Sequence, residues 1–192
     1  MKNLFLLLII VALASPGLPF EEGDKVVMYW DSSHSLSKNE HSLANWLEGK
    51  TASAFINIRG EIEITLDIAG FPHVLSSPEL NLDCESFDAI KITYVNLLDS
   101  PEAEKIKIAV GWVDEAGLDK YRKGIYTKYE ERFITLPLER NGHPTAILKF
   151  KGHEKWQKGA KIVGLNLGFM SELDTAKGKI LINSIELVKF NE

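Results

Sequence analysis

The chain has 192 residues, 45% of them hydrophobic, a formal net charge of -5 and a single cysteine. A mildly acidic balance offers no basic footprint for nucleic acid or for an anionic membrane surface. One cysteine excludes an intramolecular disulfide, and Cys84 reads as a small buried hydrophobe beside Phe87.

The first residues have the pattern of a secretory signal peptide. Lys2 gives a positive start, Leu4 to Val11 is an unbroken apolar run, and Ala12-Leu13-Ala14 is an A-x-A cleavage signal. The run falls short of the roughly 18 apolar residues a membrane span needs. No cysteine lies near the cleavage site, so no lipid anchor is expected. Cleavage after Ala14 leaves 178 residues with a net charge of -6, since Lys2 is the only charged residue removed. Residues 15–192 suit one domain with a core of its own. The expected location is secreted or periplasmic.

Beyond the signal the apolar period is two. Strands are expected at Val26 to Trp30, at Ala52 to Arg59, and at Ile62 to Ile68, where Ile62, Ile64, Leu66 and Ile68 alternate with Glu63, Thr65 and Asp67. Arg59-Gly60-Glu61 joins two of these tightly. Ile90, Ile92 and Tyr94 alternate with Lys91 and Thr93, and Ile106, Ile108, Val110 and Trp112 alternate with Lys107, Ala109 and Gly111. Further strands are expected at Arg132 to Leu136, Thr145 to Phe150 and Val163 to Phe169. Ser42 to Leu47 and Ala116 to Arg122 each suit one helical turn. Asn141-Gly142 reads as a reversal, and Asp99-Ser100-Pro101 and Thr175 to Gly178 read as loops. In the last strand Ile180 and Ile182 share one parity, and Ile185 and Leu187 the other. A bulge at Asn183-Ser184 would keep all four on the core face. Eight to ten short strands imply an all-β fold with two antiparallel sheets, a sandwich or barrel.

Several residues together resemble the galactose-binding-like jelly-roll domains, which include many bacterial carbohydrate-binding modules. Trp156, Gly159, Ile162 and Leu165 match the family's Trp-Gly loop and following strand. Gly178, Ile180, Ile182, Ile185 and Leu187 match its final strand, G-x-φ-x-φ-D-x-φ-x-φ. Cys84 to Ile92 resembles its central strand, and Lys107 to Trp112 the next one. The resemblance spans Asn45 to Phe190 and implies a two-sheet antiparallel β-sandwich, a jelly roll. In many relatives the last-strand region helps hold a structural calcium ion. Here Asn183 stands in place of the usual acidic residue, which weakens such a site, and no other cofactor is expected.

Candidate ligand-binding residues come from the aromatics. A sugar ring presents a face of C–H bonds that a flat aromatic can cover. Trp112 ends a strand beside Asp114, and Tyr121, Tyr126 and Tyr129 share a polar loop with Arg122. Trp112 also shares parity with core residues, so packing and ligand contact are both open for it. Trp46 and Trp156 read as packing at the sandwich ends. The loop around Asp31, His34 and Trp46 is a second candidate. The adjacent pairs Asp114-Glu115 and Glu130-Glu131 point to opposite faces, so neither supplies the two carboxylates about 5 to 10 Å apart that glycoside hydrolysis needs. No nucleophile elbow, phosphate loop or histidine-cysteine metal pattern is present, and no metal ligands are assigned. The expected function is a secreted, non-catalytic carbohydrate-binding module whose partner is an oligosaccharide or polysaccharide. The alternative is a protein-interaction or surface-assembly module on the same fold.

Overall fold

The computed structural model describes residues 24–37, 39–47, 54–68, 73–98, 106–123, 132–139, 144–171 and 176–191. Tyr126, Tyr129, Asn141-Gly142 and Asp99 to Pro101 lie outside the described residues, as do residues 1–23, where the signal peptide is expected. The described strands are β1 (Lys25–Asp31), β2 (Ala54–Ile56), β3 (Ile62–Ile68), β4 (His73–Ser76), β5 (Leu82–Asp83), β6 (Ala89–Leu98), β7 (Ile106–Asp114), β8 (Phe133–Pro137), β9 (Thr145–Lys149), β10 (Lys161–Ser171) and β11 (Ala176–Lys189). Two short helices, α1 (Ser32–Ser35) and α2 (Leu118–Arg122), follow β1 and β7.

The strands form two antiparallel sheets. The first runs β2-β3-β11-β6-β9, with β1 also paired to β11. Residues 176–182 of β11 border β3 and residues 184–189 border β1, while β6 lies along the opposite edge. The second sheet runs β4-β10-β7-β8, with β5 paired to β10. Number β3, β4 and β6 to β11 as one to eight. The sheets then read 1-8-3-6 and 2-7-4-5, the strand order of a jelly roll. The bulge in the final strand is present: the register steps between Ile182 and Ser184, and Ile180, Ile182, Ile185 and Leu187 all face the core.

The core fills the space between the sheets. Ile64, Leu66, Ile92, Ile108, Leu165, Ile180 and Ile185 all belong to it. Val163 is buried but is the bulged residue of β10, and Ile162 takes the core position instead. A 3₁₀ turn over Leu43–Leu47 places Leu43 and Trp46 against β2 and β4, closing one margin of the sandwich. Trp46 meets Trp30 edge to face at 5.3 Å. At one end, Trp156 stacks on Phe150 at 4.7 Å and meets Phe87 and Trp112 edge to face. Its indole N–H donates to the Cys84 carbonyl at 3.2 Å.

Some local expectations need correction. The strand expected at Ala52 to Arg59 covers only Ala54–Ile56 among the described residues. Asn57 ends it, because its side-chain oxygen accepts from the amides of Arg59 and Glu61 and so turns the chain. Residues 176–178 extend β11 rather than forming a loop, because β3 supplies a partner along that stretch. The short β4 and β5 and helix α1 were not expected. Each is too short to show a period, and β4 and β5 exist because β10 pairs with them.

Candidate functional site

The outward side of the second sheet differs from an ordinary solvated sheet face. On β10 the outward residues include Gly164, Asn166 and Gly168, and on β7 they are Lys107, Ala109, Gly111 and Val113, opposite in parity to the core residues Leu165, Leu167, Ile108 and Val110. Asn166 pairs with Ser76 on one side and Gly111 on the other, and Gly111 pairs with Phe133. The middle of the two central strands therefore carries mostly small side chains, between Lys107 and Val113 on β7, and β8 raises Phe133, which is 36% exposed, at the margin. The outward side of the first sheet instead carries long ion-paired side chains, Lys91 with Glu186 and Lys179 with Glu63.

Asn166 is the polar residue of this floor. It is 4% exposed, and its side-chain oxygen accepts from the Ser76 hydroxyl at 2.9 Å. That bond turns the amide nitrogen away from Ser76, and the nitrogen has no hydrogen-bond partner among the described residues.

Of the expected site residues that are described, Asp114, Tyr121 and Arg122 gather at the Gly164 end of this face and one does not, while Tyr126 and Tyr129 lie outside the described residues. Asp114 closes β7, where its carboxylate accepts from Arg132. Tyr121 lies on α2 with its ring against Gly164, and its hydroxyl donates to the Ser77 carbonyl at 2.6 Å. Arg122 holds Glu79 through two bonds of 2.9 and 2.7 Å. Those bonds keep the Glu79 carboxyl below its ordinary value, and Glu79 in turn raises Arg122. The exception is Trp112. It is 4% exposed, belongs to the core and packs edge to face on Phe150, Trp156 and His153. A stacking role for Trp112 is thus corrected to a packing role: its strand parity aims it between the sheets. Sequence reasoning passed over Asn166, Arg132 and Phe133. The available signal was Gly164-x-Asn166-x-Gly168, an outward row without the Lys, Glu or Thr that a solvated face carries.

The second candidate divides as well. Trp46 is core. Asp31 and His34 stay near the surface, with His34 Nδ1 2.7 Å from Asp31 Oδ1. Partial burial raises the Asp31 carboxyl, but hydrogen bonds from Ser33 and His34 outweigh it, and the net shift is downward. His41 stacks on Tyr29 at 4.1 Å, with His34 edge-on to both. Among the described residues no three His, Cys, Asp or Glu side chains group to hold a metal ion.

No protein-family model and no curated protein matches the chain. Among solved structures it is similar to the glycoside hydrolase domain of Endo-D from Streptococcus pneumoniae R6, with 13% identity and a TM-score of 0.44. That match covers 74% of this chain and 20% of the other, so the chain spans about one fifth of that protein. It is also similar to CBM28, a carbohydrate-binding module specific for non-crystalline cellulose, with 14% identity and a TM-score of 0.42. There the match covers 68% of this chain and 75% of the other.

Proposed function

We propose that the protein is a secreted, non-catalytic carbohydrate-binding module whose ligand lies on the outward face of the β4-β10-β7-β8 sheet. The observation that carries this reading is Asn166, an amide set into a floor of small residues with its nitrogen unpartnered among the described residues. Side chains that short keep the floor low, and since the floor residues are themselves buried, a sugar ring would reach it from the Phe133 margin. The amide meets hydroxyls, and Phe133 offers an apolar surface to C–H bonds. The ion pairs of Asp114 with Arg132 and Glu79 with Arg122 engage the carboxylates at the Gly164 end. Carboxylates held that way suit binding better than proton transfer.

Affinity electrophoresis in soluble polysaccharides, guided by a glycan array, tests the site. Phe133→Ala is expected to weaken binding at least tenfold, about 1.4 kcal/mol, with little change in melting temperature. Wild-type affinity in both Phe133→Ala and Asn166→Ala would place the ligand elsewhere. A blank array favours the second reading, a protein-interaction module. The half-exposed Phe55 and Leu97 on the outward side of the first sheet give that reading its support.

Export follows from the leader pattern. The secreted protein is expected to begin at Ser15, and mass spectrometry of exported material that still carries Met1 to Ala14 would sink that expectation.

A further inference from the structure

Asn183 is the extra residue of the β11 bulge, and its side chain reaches a buried carboxylate. Its amide nitrogen donates to Glu61 Oε1. Glu61 is only 6% exposed, and its second oxygen accepts from the Asn57 amide nitrogen at 2.9 Å. The Asn57 side-chain oxygen closes the ring by accepting from the Glu61 backbone amide at 3.2 Å. Beside them Gly60 has a φ of 80°, and a Cβ there would sit 2.0 Å from the Ser32 carbonyl oxygen. Three segments meet at this point: the start of α1, the turn between β2 and β3, and the bulge of β11.

In many members of the family the chain resembles, this part of the last strand helps hold calcium, and Asn183 departs from their acidic residue. The donor set here does not fit that ion. Calcium takes six to eight oxygen ligands. Each oxygen of the Glu61 carboxylate already accepts from an amide N–H group, and it is the one charged ligand that Asn57, Glu61 and Asn183 offer. The Asn183 side-chain oxygen is buried without a hydrogen-bond partner, but it points away from Glu61 because the amide nitrogen points toward it. One carbonyl on its own does not build a calcium shell.

We propose that Asn57, Glu61 and Asn183 form a metal-free clamp in which two amides supply the compensation that a cation would otherwise give a buried carboxylate. Asn183 is the deciding residue. An aspartate there would set two carboxylates against each other and create a need for positive charge.

The test is thermal unfolding of the full mature chain, wild type and Asn183→Asp, in excess EDTA and in millimolar calcium. The wild type is expected to melt at the same temperature in both. The variant is expected to melt several degrees lower than wild type in EDTA. A wild-type melting temperature that rises by several degrees with calcium would overturn the proposal, and so would a variant as stable as wild type in EDTA. If the variant does not fold, calorimetric titration of the wild type with calcium decides alone. No heat of binding supports the clamp, and saturable binding that stabilises the fold refutes it. None of these outcomes depends on whether the protein binds sugar.

Discussion

Gly164 shows how one missing methyl group shapes the candidate face. A Cβ at this position would lie 2.2 Å from the Tyr121 ring. The glycine therefore seats Tyr121, and Tyr121 fastens α2 to the sheet through Ser77. Gly164→Ala should push the ring out and cost about 1 to 3 kcal/mol, the usual range for overpacking. Urea unfolding measures it, and an unchanged midpoint would mean that Tyr121 swings aside freely. Trp112 is the contrasting case. Trp112→Ala should cost about 3 to 5 kcal/mol through lost burial and a cavity, with loss of near-ultraviolet circular dichroism from the Trp112, Phe150 and Trp156 cluster. A variant of wild-type stability would return Trp112 to the surface. Parity alone aimed Trp112 inward, but its place at a strand end left the outcome open until the partners Phe150 and Trp156 were known. Those partners come from a loop some forty residues away, which no local pattern reveals.

Among the elements, β3 and β7 were the most legible. Each has a long alternation and a buried face that fixes its phase. The β11 bulge was legible for the same reason: four isoleucine and leucine side chains demand one face, and only an extra residue reconciles them. β4 and β5 were illegible because their pairing comes wholly from β10. On β6, Tyr94 gives a pH test. Its hydroxyl accepts from the Glu139 amide at 2.9 Å, and the side chain is buried. Burial pushes the phenol up, the nearby Glu139 charge adds to this, and the Glu139 amide bond offsets part of it. The folded pKa thus lies above that of the unfolded chain, about 10. Its contribution to stability is complete below that pH and is lost as pH rises through it, because the unfolded state sheds the proton first. Melting temperature should fall above about pH 10. Tyr94→Phe should flatten that fall while costing about 1 kcal/mol for the lost hydrogen bond. A fall equally steep in the variant would assign it to other groups.

At the scale of the whole molecule, period-two alternation was enough to read two half-buried sheets, but not which strand lies beside which. Neighbours are chosen by the way two apolar faces close on each other, and that information is spread over the whole chain. The result has a kinetic side. β11 occupies the middle of the first sheet, bordered by β1, β3 and β6, although it is the last strand in the sequence. Ile64 meets Ile180 across more than a hundred residues of chain. Contacts that distant are slow to form, since loop closure must precede any gain from them. Until residues 176–189 arrive, β1, β3 and β6 have no common partner, so the first sheet stays open until β11 is made. A chain cut after Ser171 is expected to show no cooperative melt by calorimetry, and a sharp transition in that fragment would mean that the second sheet folds without the first. Closure that waits on β11 leaves the facing edges of β3 and β6 without strand partners until it arrives.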